Sequence, residues 1–141
     1  MWGTVVAHDT AFLLARANAL SLTAVNAALE PLGLKVRSYS VLAVAVAGVR
    51  PTQRELSDFL RLDPSQIVSL IDELEKAGLA TREPAQNDRR VNVVAATDEG
   101  RSVYKRAREA TQRAEVECFG ALGESDLAQL KTMLSALSAA G

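Results

Sequence analysis

Apolar positions recur at helical spacing along most of the chain, and they alternate over one short stretch only. From about His8 to Glu30 apolar residues fall on more than one face, among them Phe12, Ala15, Leu20, Leu22, Val25 and Leu29. Pro31-Leu32-Gly33 ends that segment. A helix that is apolar nearly all round must be covered by several neighbours or by a second subunit. A second helix is expected from about Ser38, read as its cap, to Ala47. It carries the longest unbroken apolar run, Val41 to Val49, and stops at Gly48.

The next start signal is Thr52-Gln53-Arg54-Glu55, a capping box in which a Thr hydroxyl serves the orphan N–H groups and a Glu reaches back. Leu56, Phe59 and Leu60 then predict one apolar face. A second start follows at once in Asp63-Pro64-Ser65-Gln66, with Asp63 as cap, Pro64 at the tolerated first position and Gln66 closing the box. Ile67, Leu70, Ile71 and Leu74 make the buried stripe of this helix, and Gly78 ends it. Two short helices split by a tight turn, the second amphipathic, describe a helix-turn-helix. Leu79–Glu83 and Val91–Ala95 predict two strands joined by the polar turn Pro84 to Arg90, a hairpin or "wing".

Thr97 caps a further helix with Asp98 and Glu99 in its first turn, where the macrodipole favours acids. Within it Val103, Ala107, Ala110, Ala114 and Cys118 recur at close-packing spacing, and Leu127, Leu130, Leu134 and Leu137 repeat in a last helix from about Glu124. Neither terminal helix has a wide partner within the helix-turn-helix. The first and the last two helices are therefore expected to pack against a second copy in an isologous dimer. The fold class is mainly α with a small β-hairpin wing, a winged helix-turn-helix dimeric through its N- and C-terminal helices. Residues 1–34 form the dimerisation helix, 35–98 the winged lobe and 99–141 the closing dimerisation helices, all in one compact unit.

Composition narrows this picture. With 48% hydrophobic and only 4% aromatic residues, the interior is aliphatic and helix-favouring. No unbroken apolar run approaches the ~20 residues of a bilayer span, and the N-terminus lacks a basic n-region. The single cysteine excludes an intrachain disulfide framework and suits a reducing cytoplasm. The net charge of −1 gives no general attraction for nucleic acid, so such binding must come from local placement. Residues 50–108 hold 11 of the 16 basic residues against 10 acidic ones, whereas 109–141 hold 2 against 5.

The ordered set Leu56-Ser57-Asp58-Phe59-Leu60, Leu74-Glu75-Lys76-Ala77-Gly78-Leu79, Asp88-Arg89-Arg90 and Thr97-Asp98-Glu99-Gly100 resembles the MarR family of bacterial transcription regulators, over essentially the whole chain. The family's wing pattern is Asp-x-Arg, then a strand, then Thr-x-x-Gly. The resemblance implies a homodimer on a pseudo-palindromic operator, often a repressor released by a small ligand or by thiol oxidation. It also implies that the second helix of the motif enters the major groove while the wing tip reaches the flanking minor groove, where arginines meet a strong negative potential. Two departures stand out. Val68 and Ser69 replace a frequent Thr-Arg, and Glu73 beside Asp72 replaces a frequent basic residue. The recognition helix then has no basic residue before Lys76, so base contacts fall to Ser65, Gln66 and Ser69, and the salt dependence of binding should be shallow.

Arg89 and Arg90 are the minor-groove candidates, with Asp88 orienting them rather than touching DNA. Gln66 is suited to adenine but competes with its own capping box. Arg37, Thr52, Arg54 and Arg61 sit near helix ends and are candidates for phosphate contact. An effector pocket for a small aromatic or lipophilic molecule is placed by position alone at Phe12, Arg16, Tyr39, Ala43 and Tyr104. Cys118, flanked by Glu117 and near Glu115, reads as a buried structural cysteine rather than a redox switch. His8 has no partners at ligand spacing beyond Asp9, so no metal or other cofactor is expected. No Gly-rich phosphate loop or paired-carboxylate cleft points to an enzyme. The alternative to a DNA-binding regulator is a winged-helix module that presents the same face to a protein.

Overall fold

The computed structural model describes residues 1–140. A 3-10 turn, Val5–His8, leads into α1 (Thr10–Leu29), and a second 3-10 turn, Glu30–Leu32, closes it. Then come α2 (Val36–Val46), α3 (Gln53–Leu60), α4 (Pro64–Lys76), β1 (Ala80–Pro84), β2 (Asn92–Ala96), α5 (Asp98–Cys118) and α6 (Glu124–Ala139). The predicted winged helix-turn-helix is present, with both strands one residue later than expected. β1 and β2 pair antiparallel with Ala80 opposite Ala96 and Pro84 opposite Asn92. Pro51 and Thr52 add a short third rung: the Val94 N–H donates to the Pro51 carbonyl at 2.8 Å, and Thr52 bridges Val93.

One core serves the winged lobe. Leu29, Val41, Leu42, Leu56, Ile67, Ile71, Leu74 and Val94 are its largest fully buried side chains. α5 spans this core and the terminal helices, packing most extensively against α1 and also against α2.

Both predicted capping boxes form. The Thr52 hydroxyl accepts from the Glu55 N–H, whose carboxylate accepts the Thr52 N–H at 2.7 Å. Asp63 accepts from the Ser65 N–H at 2.8 Å, and Gln66 Oε1 accepts the Asp63 N–H at 3.3 Å. The start of α2 differs from expectation. Ser38 is not its cap but lies one turn inside, buried, with its hydroxyl accepting from the Lys35 N–H at 2.9 Å. Asn26 of α1 accepts the neighbouring Val36 N–H, so a side chain from another helix joins Ser38 in starting α2, where the Lys35 side chain makes no cap bond.

Three further expectations are corrected. Phe59 is 73% exposed, because the buried stripe of α3 is centred on Leu56, Ser57 and Leu60 and leaves Phe59 on its rim. Cys118 is half-buried rather than buried, since it is the last residue of α5. The segment Thr10–Leu32 is long and apolar enough to cross a bilayer by length and composition. Its Ala and Leu content lifts the average although polar residues interrupt every run. Only 6% of its most apolar stretch is buried within one chain.

The wing and α5 join at a crowded point. Gly78 takes a left-handed backbone, φ 73°, so that its own N–H reaches the Glu75 carbonyl and that of Leu79 reaches Leu74. The Leu79 carbonyl then accepts the Thr97 N–H at 3.1 Å. Thr97 Oγ donates to the Gly78 carbonyl at 2.6 Å and accepts the Gly100 N–H at 2.9 Å. Gly100 lies so close that a Cβ there would stand 2.0 Å from the Leu79 carbonyl oxygen. The Thr-x-x-Gly spacing thus lets a helix start against the end of another. Thr97→Ala should lower stability by about 1–2 kcal/mol through the lost cap and the orphaned carbonyl. Gly100→Ala should cost about 3 kcal/mol, because backbone rather than a side chain must move. Urea midpoints would check the order, and equal midpoints for Gly100→Ala and the parent would contradict it.

Candidate nucleic-acid interface

Side chains of α4 three and four apart share a face, and the buried ones, Ile67, Ile71 and Leu74, fix which face is outward. Directly opposite them run Ser65, Ser69, Asp72 and Lys76, all exposed, with Gln66 and Glu73 along one edge. Ser65, Gln66 and Ser69 line one shallow depression with Leu70 and Arg37, the latter from the first turn of α2. The structure thus brings a cation beside the three neutral residues that the sequence proposed for base contact.

All three also make local hydrogen bonds. Ser65 Oγ donates to Asp63 at 2.6 Å, Ser69 Oγ donates to the Ser65 carbonyl at 3.2 Å, and the Gln66 carbonyl oxygen serves the capping box. The Ser65 hydroxyl and backbone N–H hold the Asp63 carboxyl below the ordinary aspartate range. These bonds leave the Gln66 amide group as an outward donor.

At the wing tip Asp88 accepts from the Arg90 backbone N–H at 3.0 Å and from its Nε at 3.2 Å. The Arg90 side chain is otherwise 91% exposed, and Arg89 beside it is exposed as well. The turn is closed by Ala85 donating to the Val91 carbonyl and Val91 donating to that of Asp88. Asp88 therefore tethers Arg90 while leaving almost all of its side chain exposed.

The remaining candidates for phosphate contact are scattered. The Thr52 hydroxyl is occupied at the α3 cap. Arg54 is exposed and only 4.0 Å from Asp58. Arg61 ends α3 in a left-handed conformation, φ 51°, that makes the turn between the two helices of the motif. Arg82, which sequence reasoning passed over, lies on β1 against α4 and pairs with Asp72 at 2.7 Å and with Glu75. A local reading has no signal for it, because its partners are ten and seven residues away on another element.

Of the five effector-pocket candidates, Tyr39 and Ala43 line a cavity of about 640 Å³ between α2 and α3, with Phe59 and Val49 at its rim. Phe12, Arg16 and Tyr104 do not line it. The Arg16 guanidinium instead sits 4.8 Å over the Trp2 ring. Tyr104 stacks on Tyr39, ring centroids 5.7 Å apart, and its hydroxyl accepts from Arg108 at 3.2 Å. Tyr39 and Arg108 also border a second, more polar cleft of about 520 Å³ among α1, α2, α5 and α6. Among the described residues no cluster of His, Cys, Asp and Glu is placed to hold a metal ion.

Comparison with known proteins bears on this geometry. Residues 32–91 match the MarR family. The structure is similar to that of a MarR family transcriptional regulator from Rhodococcus sp. RHA1, at 37% identity over 96% of this chain and 97% of the other, with a TM-score of 0.87. CouR from Rhodococcus jostii RHA1 bound to p-coumaroyl-CoA shows 38% identity over 96% of each chain, TM-score 0.83. The Mycobacterium tuberculosis MarR family protein Rv2887 in complex with DNA shows 26% identity over 92% and 97%, TM-score 0.76. A search of curated proteins gave no significant match.

The wing geometry predicts a titration. Hydrogen bonds from the Arg90 backbone N–H, first, and its side chain hold the Asp88 carboxyl below the ordinary 3.8. A folded value below the unfolded one means the contact contributes fully above 3.8 and is lost as the pH falls through the lower folded value. Carboxyl carbon NMR should place the Asp88 midpoint below 3.8, with Arg90→Ala retaining most of the depression through the backbone donor. A midpoint at or above that value would contradict the arrangement.

Proposed function

The chain belongs to the MarR family of transcriptional regulators, and from that premise we propose that it binds duplex DNA as a homodimer and acts as a repressor on a pseudo-palindromic operator. The observation that carries the reading is the exposed outward face of α4, with Ser65, Gln66, Ser69 and Arg37 in one depression. The wing arginines lie exposed beyond it. Ser65, Gln66 and Ser69 read base edges in the major groove, and Gln66 offers its amide N–H to an acceptor. Arg89 and Arg90 enter the adjacent minor groove with Asp88 holding the second of them. Arg37, Arg54 and Arg61, with the α3 N-terminus at Thr52, address phosphates.

Two subunits are required on this reading. The N-terminal turn, α1, the end of α5 and α6 leave a broad apolar surface uncovered, with Val5 82% and Val116 and Leu137 each 67% exposed. No residue of α6 is buried within one chain. A surface of that size in a regulator is an interface, and a second copy satisfies it with two-fold symmetry. Residues 1–34 and 99–141 then serve dimerisation and 35–98 serves DNA, with the recognition helices ~34–36 Å apart across one turn of duplex.

The effector reading extends the same geometry. Tyr39 borders both the apolar cavity between α2 and α3 and the polar cleft at Arg108. An aromatic acyl compound of the kind bound to CouR suits an apolar cavity whose Tyr39 wall also borders a cleft lined by Arg108. Its binding would release DNA by favouring a subunit separation that misfits the operator. The protein is then a cytoplasmic binding protein, not an enzyme.

Selection from a random duplex pool by the purified protein should enrich a two-fold repeat with half-sites one turn apart. On that sequence Arg90→Ala should weaken binding roughly tenfold while leaving the thermal midpoint nearly unchanged. Failure to enrich any duplex would leave the protein-interaction module as the function. Replacing Leu134 and Leu137 together by Glu should yield monomers in sedimentation equilibrium. Affinity for the two-fold site should then fall further than affinity for a half-site, and a persistent dimer would place the interface elsewhere.

A further inference from the structure

We propose that Arg82, a residue of the wing strand rather than of the recognition helix, is a positioning residue for DNA binding that masks the acidic charge of α4 and ties the wing to it. The inference rests on the DNA-binding reading above and adds a determinant that neither the wing tip nor the base-contact face contains.

The outward stripe of α4 is Ser65, Ser69, Asp72 and Lys76, so Asp72 stands among the residues that would face the duplex. A bare carboxylate there would repel phosphates, and Glu73 and Glu75 lie on the flanks of the same stripe. Arg82 answers two of these three acids. Its Nη2 lies 2.7 Å from Asp72 Oδ1, and its Nη1 donates to Glu75. The Nη2 group also lies 3.5 Å from the Val68 carbonyl. Glu75 in turn accepts the Arg82 backbone N–H at 2.7 Å, which fixes the first residues of β1 against the last turns of α4.

The Arg82 side chain is only 20% exposed, whereas the Asp72 side chain is 61% exposed. A held cation thus reaches out to a carboxylate on the accessible face. This is a two-pronged arrangement that suits the planar fork of arginine. It also accounts for two of the three acids that the recognition helix carries before its single lysine. The cation missing from the helix is supplied from the wing, and because it is spent on protein carboxylates it adds no phosphate contact of its own.

The test compares the full-length parent, Arg82→Gln, and Arg82→Gln combined with Asp72→Asn, on the duplex enriched by the parent. Affinity is measured by fluorescence anisotropy over a salt series, with the thermal midpoint of each variant recorded. Arg82→Gln should weaken binding roughly tenfold, by exposing the Asp72 charge and loosening the wing. Adding Asp72→Asn should recover most of that loss, because the accessible charge is gone and Glu75 keeps the backbone N–H of residue 82. A merely structural role would lower the midpoint and leave the recovery absent.

Equal binding by Arg82→Gln and the parent, or no recovery in the double variant, would overturn the proposal. Should Arg82→Gln fail to fold, the double variant decides alone. Binding within about threefold of the parent supports the assignment, and a tenfold deficit sinks it. If the parent enriches no duplex, the DNA-binding reading itself fails, and this inference with it, before any variant is made.

Discussion

The architecture turns on the contact between the Leu79 carbonyl and Gly100. At this point α4 has just ended, β1 is beginning, β2 has just ended and α5 is starting. Four chain directions meet within a few ångströms, and no side chain fits between two of them, since even a methyl at Gly100 would stand 2.0 Å from the Leu79 oxygen. The left-handed turn at Gly78 delivers the Leu79 carbonyl to that spot, and the Thr97 hydroxyl bonds both sides of the junction. The orientation of the recognition helix relative to α5 is therefore fixed by backbone atoms rather than by adaptable side chains. Since α5 packs chiefly on α1, this joint connects the recognition helix to the terminal helices.

That rigidity contrasts with the terminal helices. The core centres on the winged lobe, with Leu42, Leu56, Ile67, Ile71 and Val94 fully buried, and is completed by Leu29 at the end of α1 and by Val103 and Ala107 of α5. The N-terminal turn, α1 and α6 keep most of their apolar surface outside it, Val5, Leu20 and Leu137 among them. Stability and specificity are thus divided. The lobe holds most of the buried apolar side chains, while the N-terminal turn and α6 leave theirs largely exposed within one chain. The same division explains why Thr10–Leu32 passes a length-and-composition criterion for a bilayer span: a helix meant for a protein partner and one meant for lipid look alike when averaged.

How much was legible in the sequence follows from how local the cause was. Thr52, Asp63 and Thr97 announced their helices because a cap acts within three residues, and each makes the expected bond. The hairpin is legible because its alternation and its polar turn are local, and both strands lie one residue later than the pattern predicts. The start of α2 was misjudged because its partner, Asn26, belongs to α1. Phe59 was placed inside because a three-residue step from Leu56 is ambiguous on a helix of only two turns. The effector candidates were assigned by position, and only Tyr39 and Ala43 share a cavity. Arg82 left no trace in the pattern, because an ion pair between elements has no period.

Charge balance gives the last step. A net charge of −1 and a recognition helix with three acids would count against nucleic acid if charges were summed over the chain. Summed by location, the argument changes. Asp72 and Glu75 are bound by Arg82, Glu83 by Arg50 at 2.6 Å, and Lys131 by Glu115 at 2.5 Å on the far side of the molecule. Arg37, Arg61 and Arg89 make no ion pair among the described residues, and Arg90 stays almost wholly exposed although Asp88 holds its base. The acids on the lobe are mostly internal to the fold's own pairing, whereas several of its arginines are not. A protein can thus be anionic overall and still present a cationic rim around a neutral reading face, with affinity taken from placement rather than total charge.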